Sequence, residues 1–330
     1  MRHHFASIVF LALFGSHACI AADVPCHDVD VCVYGGTASG VMAALAAGKE
    51  GANVILVEPS RWLGGMTGGG INHLDWGKGN TVGGSTYKIL MEGVKEQPRA
   101  HGGHAVQGIG NRAYRERFKK AVEDRGITVI YNHRVGKVQV GDRTIDSPTR
   151  KDPIAMNESI TKSKKANVIQ SITLDYAPVD ETGCPIPEPE KRNAITISAK
   201  VFIDCSYEGD VLGMSGASYT WGRESREHYD ESLAGVRPSL WVHDIDPYVE
   251  PGDPESGLVP FVQDKTIGPL GSADSLSMGY CFRHEFDMSG KGIPIPEPTN
   301  YDPAEFEVYR RAIRDGVDIF SNRHMRTTLN

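Results

Sequence analysis

Gly35, Gly36, Thr37, Ala38, Ser39 and Gly40 form an unbroken run of small residues, and a lone acid, Glu58, follows at the end of the next apolar stretch. Residue types in that spacing suit the binding of a dinucleotide. Where a strand feeds straight into a helix, the first backbone N–H groups of the helix have no internal partner and face the turn, where they can hold a pyrophosphate. Gly35 permits the sharp bend, and Gly40 lets helix and strand approach closely. A carboxylate at Glu58 can accept both hydroxyls of an adenosine ribose and would repel a 2′-phosphate. Thr37 stands where the middle glycine of G-x-G-x-x-G would be, so the glycine pattern alone is a weak signal. An ordinary βα turn with chance glycines would leave Glu58 unexplained.

The flanking residues supply the frame. Residues 30–34 read as an apolar strand, 41–49 as an alanine-rich helix and 53–57 as a second strand, a βαβ unit of about 30 residues. Residues 59–70 follow, and so many glycines predict a loop held against a ligand rather than a helix or strand. A nicotinamide dinucleotide has no use for such a loop directly after the ribose acid. A longer cofactor does, because its second phosphate and ribityl chain run past that point.

At these residues the chain resembles the FAD-dependent oxidoreductases of the glutathione-reductase-like class. More narrowly, it is similar to the secreted or periplasmic bacterial FAD-dependent oxidoreductase family, some of whose members carry the label xanthan lyase. In that family GGT-x-(A/S)-G opens the chain and L-GG-M-T follows the acid, and a threonine at the Thr37 position is normal. The resemblance implies that residues 35–40 hold the FAD pyrophosphate and Glu58 the adenosine ribose. It assigns Gly64, Gly65, Met66 and Thr67 to the ribityl and flavin side, and the backbone of Val135 to the adenine.

The order of the chain along such a cofactor puts residues 71–76 toward the flavin, which makes His73 and Asp75 candidate acid–base groups. Both could equally be loop residues bonded to nearby backbone. A helix is expected from Gly84 to about Glu96, a polar loop over 97–110 and a second helix over 113–125. Arg112, Arg115 and Arg117 predict a solvated face on that helix. His101 and His104 flank two glycines without a carboxylate or cysteine in register, so no metal site is expected. Strands are predicted over 127–131, 135–140, 168–176 and 194–198, the last three as an antiparallel meander laid across the parallel sheet. Residues 141–166, with Lys162, Lys164 and Lys165, read as a solvated loop.

Residues 199–210 are the second informative stretch. An apolar strand runs into Asp204, Ser206, Tyr207, Glu208 and Asp210, and a helix is expected from about Val211. They resemble the family's A-x-x-F-I-D-A-T-Y-E-G-D, which implies that Ser206 lies near the FAD phosphates. Residues 218–235 also resemble the family, and Arg223 or His228 there could orient an anionic or hydroxylated substrate while Tyr229 stacks on a sugar ring. An exposed amphipathic segment would look the same. Beyond Gly235 no motif recurs, and residues 301–315 predict a surface helix.

The net charge of −7 without a long basic run excludes nucleic acid or an anionic membrane as the main partner. Arg2, the apolar run 5–14 and the small residues before Asp23 read as an export signal of the general secretory type, without a twin arginine, which places the protein in the periplasm or outside the cell. The apolar run is too short to be a permanent membrane span. The six cysteines have no regular spacing; Cys32 and Cys205 sit in apolar runs as core residues, while Cys26, Cys184 and Cys281 are free to pair in ways the spacing leaves open.

The expected fold class is α/β: a Rossmann-like FAD-binding parallel sheet with an antiparallel β-meander over 28–215, then a partial second, substrate domain over 216–330, behind a signal at 1–22. The resemblance spans the front half of a typical family member, so a fragment is expected, lacking the C-terminal return of the cofactor domain. It implies a flavoenzyme that passes a hydride from a small hydroxylated or amine substrate, carbohydrates among the candidates, to flavin. The alternatives are a polysaccharide lyase or hydrolase with structural FAD, a truncated non-catalytic FAD-binding protein, and a nicotinamide dehydrogenase, which the 64–70 loop disfavours.

Overall fold

A computed structural model describes residues 24–69, 73–76, 84–92, 95–98, 104–107, 110–147, 168–180, 185–186, 190–237, 245–262, 268–276 and 301–317, with single positions 291, 294 and 297. The expected export signal, His101, Cys184, Cys281 and the lysines of the 141–166 segment lie outside these residues. The chain divides into two compact units, one ending at Ser218 and the other beginning at Tyr219.

The first unit is built on β1 (Cys26–Tyr34), α1 (Ala38–Lys49) and β2 (Val54–Glu58). All five residues of β2 are buried, as an apolar run covered on both faces of a parallel sheet requires. After α2 (Gly65–Gly69), β3 (His73–Trp76), α3 (Gly84–Met91), β4 (Lys95–Pro98) and β5 (His104–Gln107) comes α4 (Asn111–Asp124). Tyr114, Phe118 and Val122 recur every fourth residue on α4 and are its buried stripe. Then follow β6 (Thr128–Tyr131), β7 (His133–Val140), β8 (Arg143–Asp146), β9 (Ile169–Tyr176), β10 (Glu190–Asp204) and α5 (Asp210–Ser215).

Among the described residues the strands form a seven-stranded sheet in the order β6-β2-β1-β10-β9-β7-β8, and β3-β5-β4 form a separate three-stranded one. β6, β2, β1 and β10 are parallel, while β9, β7 and β8 continue the sheet antiparallel. Alternate side chains of β1 and β2 feed two cores. Val33 and Leu56 meet Val41, Tyr114 and Phe118 on the helical face. Cys32, Tyr34, Ile55 and Val57 belong to the core on the opposite face, with Val138, Leu174 and Met214.

Several expectations need correction. The meander is contiguous with the parallel sheet, because the predicted strands 194–198 and 199–204 are one strand. No glycine or proline interrupts residues 190–204, so β10 pairs with β1 over its last nine residues and with β9 from its first half. The predicted loop over 64–70 contains the helical turn α2, since Gly68 is buried and Leu63 packs into the core beside Phe118. The helix expected to Glu96 ends at Met91; β4 starts in ground predicted as helix and runs into ground predicted as loop, where β5 also lies. β8 lies in the segment predicted as loop after Val140; a two-residue Gly141–Asp142 turn, with Gly141 at φ +55°, makes it a hairpin with β7.

The second unit has little regular structure among its described residues: a 3-10 turn at Pro254–Ser256, and α6 (Glu307–Arg314) preceded by another at Pro303–Phe306. The expected surface helix buries one cation. Arg311 donates to the carbonyls of Asp246, Tyr248 and Val249 at 2.9, 2.5 and 3.1 Å and to Glu307 at 2.9 Å, which is how a guanidinium tolerates burial. Among the described residues of the chain, no helix is long and apolar enough to cross a membrane.

Candidate functional site

The glycine turn at the C-terminal end of β1 is fixed by backbone packing. Gly35 has φ +94°, and a Cβ on it would stand 2.6 Å from the amide nitrogen of Ser206. A Cβ on Gly40 would stand 1.8 Å from the carbonyl oxygen of Gly35. The two turns that follow β1 and β10 therefore touch through bare backbone. Thr37 is the N-cap of α1: its hydroxyl accepts the Gly40 N–H at 3.2 Å and donates to the carbonyl of Cys205 at 2.9 Å. The hydroxyl of Ser39 lies 2.9 Å from that of Thr37. A threonine in place of the middle glycine thus ties the first turn to the second. Gly40 being capped, Ala38 and Ser39 carry the first-turn amides that no helical carbonyl can take.

Glu58 ends β2 beside this turn and is buried. Its Oε2 accepts the N–H of Gly36 at 2.8 Å, and its Oε1 accepts the N–H of Ser60 at 2.7 Å. Burial pushes its carboxyl above the ordinary 4.5, against these amide bonds, which pull it down. The Ser60 hydroxyl is a further hydrogen-bond partner of the carboxylate. The Gly36 amide, assigned from sequence to the pyrophosphate, is taken by Glu58.

The second turn is equally self-engaged. Asp204 accepts from the amide and hydroxyl of Ser206 at 3.0 and 2.7 Å and from the Leu212 amide at 2.8 Å. The Ser206 hydroxyl in turn accepts the Gly209 N–H at 2.9 Å. Ser206 lies against the first turn as expected, but its hydroxyl organises the entry to α5. Val135, assigned to adenine through its backbone, donates its N–H to the Tyr34 hydroxyl at 3.2 Å, and Tyr34 donates to Asp210 at the same distance. Burial raises both Tyr34 and Asp210 above their ordinary values.

The glycine loop meets the same cluster. Gly64 donates to the Gly36 carbonyl at 2.8 Å and bridges Thr37. Its glycine is required because a Cβ would fall 2.6 Å from the Phe118 ring, with φ at +101°. A Cβ on Gly65 would fall 2.2 Å from the Tyr207 hydroxyl, which accepts the Met66 N–H at 2.8 Å. Thr67 closes the turn by donating to the Gly64 carbonyl at 3.1 Å, and Met66 is 54% exposed. The tight approaches of Gly64 and Gly65 are to protein side chains.

Residues 35–40, Glu58, 64–67 and Ser206 are therefore brought together. His73 and Asp75 lie on β3, of which the backbone alone is described. Arg223 belongs to the second unit, where its guanidinium pairs with both carboxylate oxygens of Asp274 and the two backbones exchange hydrogen bonds at 2.9 and 3.1 Å. Arg115 and Arg117 depart from the predicted solvated face: Arg115 lies over the Trp62 ring and Arg117 donates to the Ile89 carbonyl at 3.0 Å. Sequence reasoning passed over Tyr34 and Tyr207; the aromatic in the Tyr207-Glu208-Gly209-Asp210 run was the one signal on the page. Among the described residues, no group of three or more His, Cys, Asp or Glu is placed to hold a metal ion.

The turn fits FAD in its bare glycine bend, its first-turn amides and the carboxylate of Glu58 at its edge. A family model described as FAD dependent oxidoreductase matches residues 30–161 and 184–330. No curated protein matches the chain. Solved structures that the chain matches include THI4 from Thermovibrio ammonificans, at 15% identity over 57% of this chain and 61% of that one, with a TM-score of 0.38. A flavocytochrome c3 fumarate reductase in an open conformation is 20% identical over 55% of this chain and 34% of its own, with a TM-score of 0.31. A 3-ketosteroid-delta4-(5alpha)-dehydrogenase from Rhodococcus jostii RHA1 is 14% identical over 54% and 45%, with a TM-score of 0.34. The chain thus spans under two thirds of the length of each of these proteins.

Proposed function

The chain belongs to the family of FAD dependent oxidoreductases, and on that premise we propose that it is an exported flavoenzyme acting on a small hydroxylated or amine substrate, sugars among the candidates. Its cofactor is FAD. Bound FAD supplies two-electron oxidation of the substrate. The protein's part is to bind, orient and keep out water. The first-turn amides of Ala38 and Ser39, with the Ser39 hydroxyl, hold the pyrophosphate at the positive end of α1. Glu58 takes the ribose hydroxyls as a hydrogen-bond acceptor. Gly65 and Met66 flank the path onward, and His73 or Asp75 holds the substrate's proton.

The observation that carries this reading is Glu58, buried and pinned by two amides at the edge of the glycine turn. Export is supported by the signal-like first 22 residues and by the disulfide at Cys26, since such bonds persist outside the cytosol. The test is purification of the chain without added cofactor, followed by acid release and identification of the nucleotide. FAD is expected, with absorption near about 450 nm before release. A nicotinamide nucleotide, or none, overturns the reading.

A further inference from the structure

We propose that Tyr207 holds the cofactor where it leaves the nucleotide turn, its hydroxyl fixed by the glycine loop and its proton donated to an oxygen of FAD. This rests on the flavin reading and adds to it a residue to which that reading gives no role. Three segments meet beyond the C-terminal ends of β1, β2 and β10: the turn over 35–40, the glycine loop over 64–67 and the second turn over 204–209. Two of their junctions bring backbone against backbone. Gly64 donates to the Gly36 carbonyl at 2.8 Å, and a Cβ on Gly35 would run into the peptide between Cys205 and Ser206. The third junction, between the glycine loop and the second turn, is made by a side chain. There the Tyr207 hydroxyl accepts the Met66 N–H at 2.8 Å.

That junction is a fitted contact on an open surface. Gly65 has φ +52°, and a Cβ on it would run into the Tyr207 hydroxyl and ring edge. The position accommodates the phenol, and any larger residue would push it away. Yet Tyr207 is 57% exposed, so its ring adds little to the core and its tip does the joining. A phenol oxygen that accepts from an amide keeps its own O–H proton as a donor, and accepting one hydrogen bond strengthens the next. FAD brings acceptors for that proton between its pyrophosphate and its ribityl chain, in phosphate and hydroxyl oxygens. The tyrosine stands between the turn assigned to the first of these groups and the loop assigned to the second.

The test compares the flavin-loaded full chain with its Tyr207→Phe variant, which keeps the ring and removes only the hydroxyl. Both are diluted, and release of FAD is followed by the return of flavin fluorescence. Release should be about five- to tenfold faster in the variant, the loss of one hydrogen bond. Hydrogen exchange at the Met66 amide should quicken as well, while the denaturation midpoint of the flavin-free variant stays at the wild-type value. Unchanged release overturns the proposal. So does slower release, which would mean that the hydroxyl competes with FAD for the Met66 amide. A midpoint that falls in step with FAD retention overturns it too, because the tyrosine is then a prop of the fold and not a holder of the cofactor. Failure of the flavin reading looks different: wild type that carries no FAD sinks both, whereas wild type and variant that load and release FAD alike sink this one alone.

Discussion

The carboxylate of Glu58 accepts the backbone N–H of Gly36 at 2.8 Å, joining the tip of β2 to the bend after β1. The acid that reads from sequence as a ribose ligand is therefore also the strut that holds the bend. Both roles need the ionised form as an acceptor, yet burial opposes ionisation and raises its pKa above the ordinary 4.5.

That opposition has a definite sign. The folded chain holds the Glu58 proton more tightly than the unfolded chain does, so this residue's contribution to stability is full below about 4.5 and declines as pH rises through its raised pKa. Denaturant midpoints of the cofactor-free chain, followed across that window, should fall more steeply with pH in the wild type than in Glu58→Gln. The glutamine keeps one acceptor oxygen and cannot titrate. Parallel curves would remove Glu58 as the titrating group.

The glycines divide into two kinds, and alanine scanning should sort them. Gly40→Ala drives a Cβ into the Gly35 carbonyl, a backbone atom that cannot swing aside. A loss of about 3 kcal/mol or more, the upper end of overpacking costs, or no soluble protein, is expected. A Cβ on Gly69 meets nothing within 4 Å, so Gly69→Ala should be neutral or stabilise by about 0.4–1 kcal/mol through the unfolded chain. Thermal or denaturant melts of the two variants decide it.

Tyr34→Phe tests the buried hydroxyl that joins β1, β7 and α5. The variant leaves the buried Val135 N–H without an acceptor and takes a donor from Asp210. A loss of about 1–3 kcal/mol is expected from the stranded amide. Asp210 should also move further above its ordinary range, since the Tyr34 bond is one of the influences holding it down. Carboxyl titration by NMR reads that shift; an unmoved Asp210 would dissociate the pair.

The βαβ unit was legible because its information is local: an apolar run, a small-residue bend and an alanine-rich helix sit next to one another in sequence. What escaped was long-range. β10 becomes a single strand because β1 and β9 hold it on both sides, and Thr173 and Thr196 face each other across that seam at 3.2 Å. At Gly64 and Gly65 sequence shows that a side chain is missing but not what fills the space, here Phe118 and Tyr207. Arg115 of α4 read as solvent-facing because its partner, Trp62, lies some fifty positions earlier.

Arg223 and Asp274 decide whether the second unit's best substrate candidate is a binding group or a brace. Their side chains pair through both carboxylate oxygens and their backbones through two further hydrogen bonds, while Gly222 has its would-be Cβ 2.3 Å from the Asp274 carbonyl. The pair is partly exposed, at 33% and 20% of the side chains, so solvent screening limits it. In a double-mutant cycle, Arg223→Ala and Asp274→Ala should each lower stability, and the double variant should lose less than their sum by about 0.5–1 kcal/mol. Flavin content should be the same in all four proteins, because both residues lie in the second unit and the nucleotide turn in the first. A brace predicts that coupling in stability with turnover scaling only with folded protein. If Arg223→Ala instead melts like the wild type and loses turnover, the arginine is reaching a substrate, and its pairing with Asp274 is one that substrate can displace.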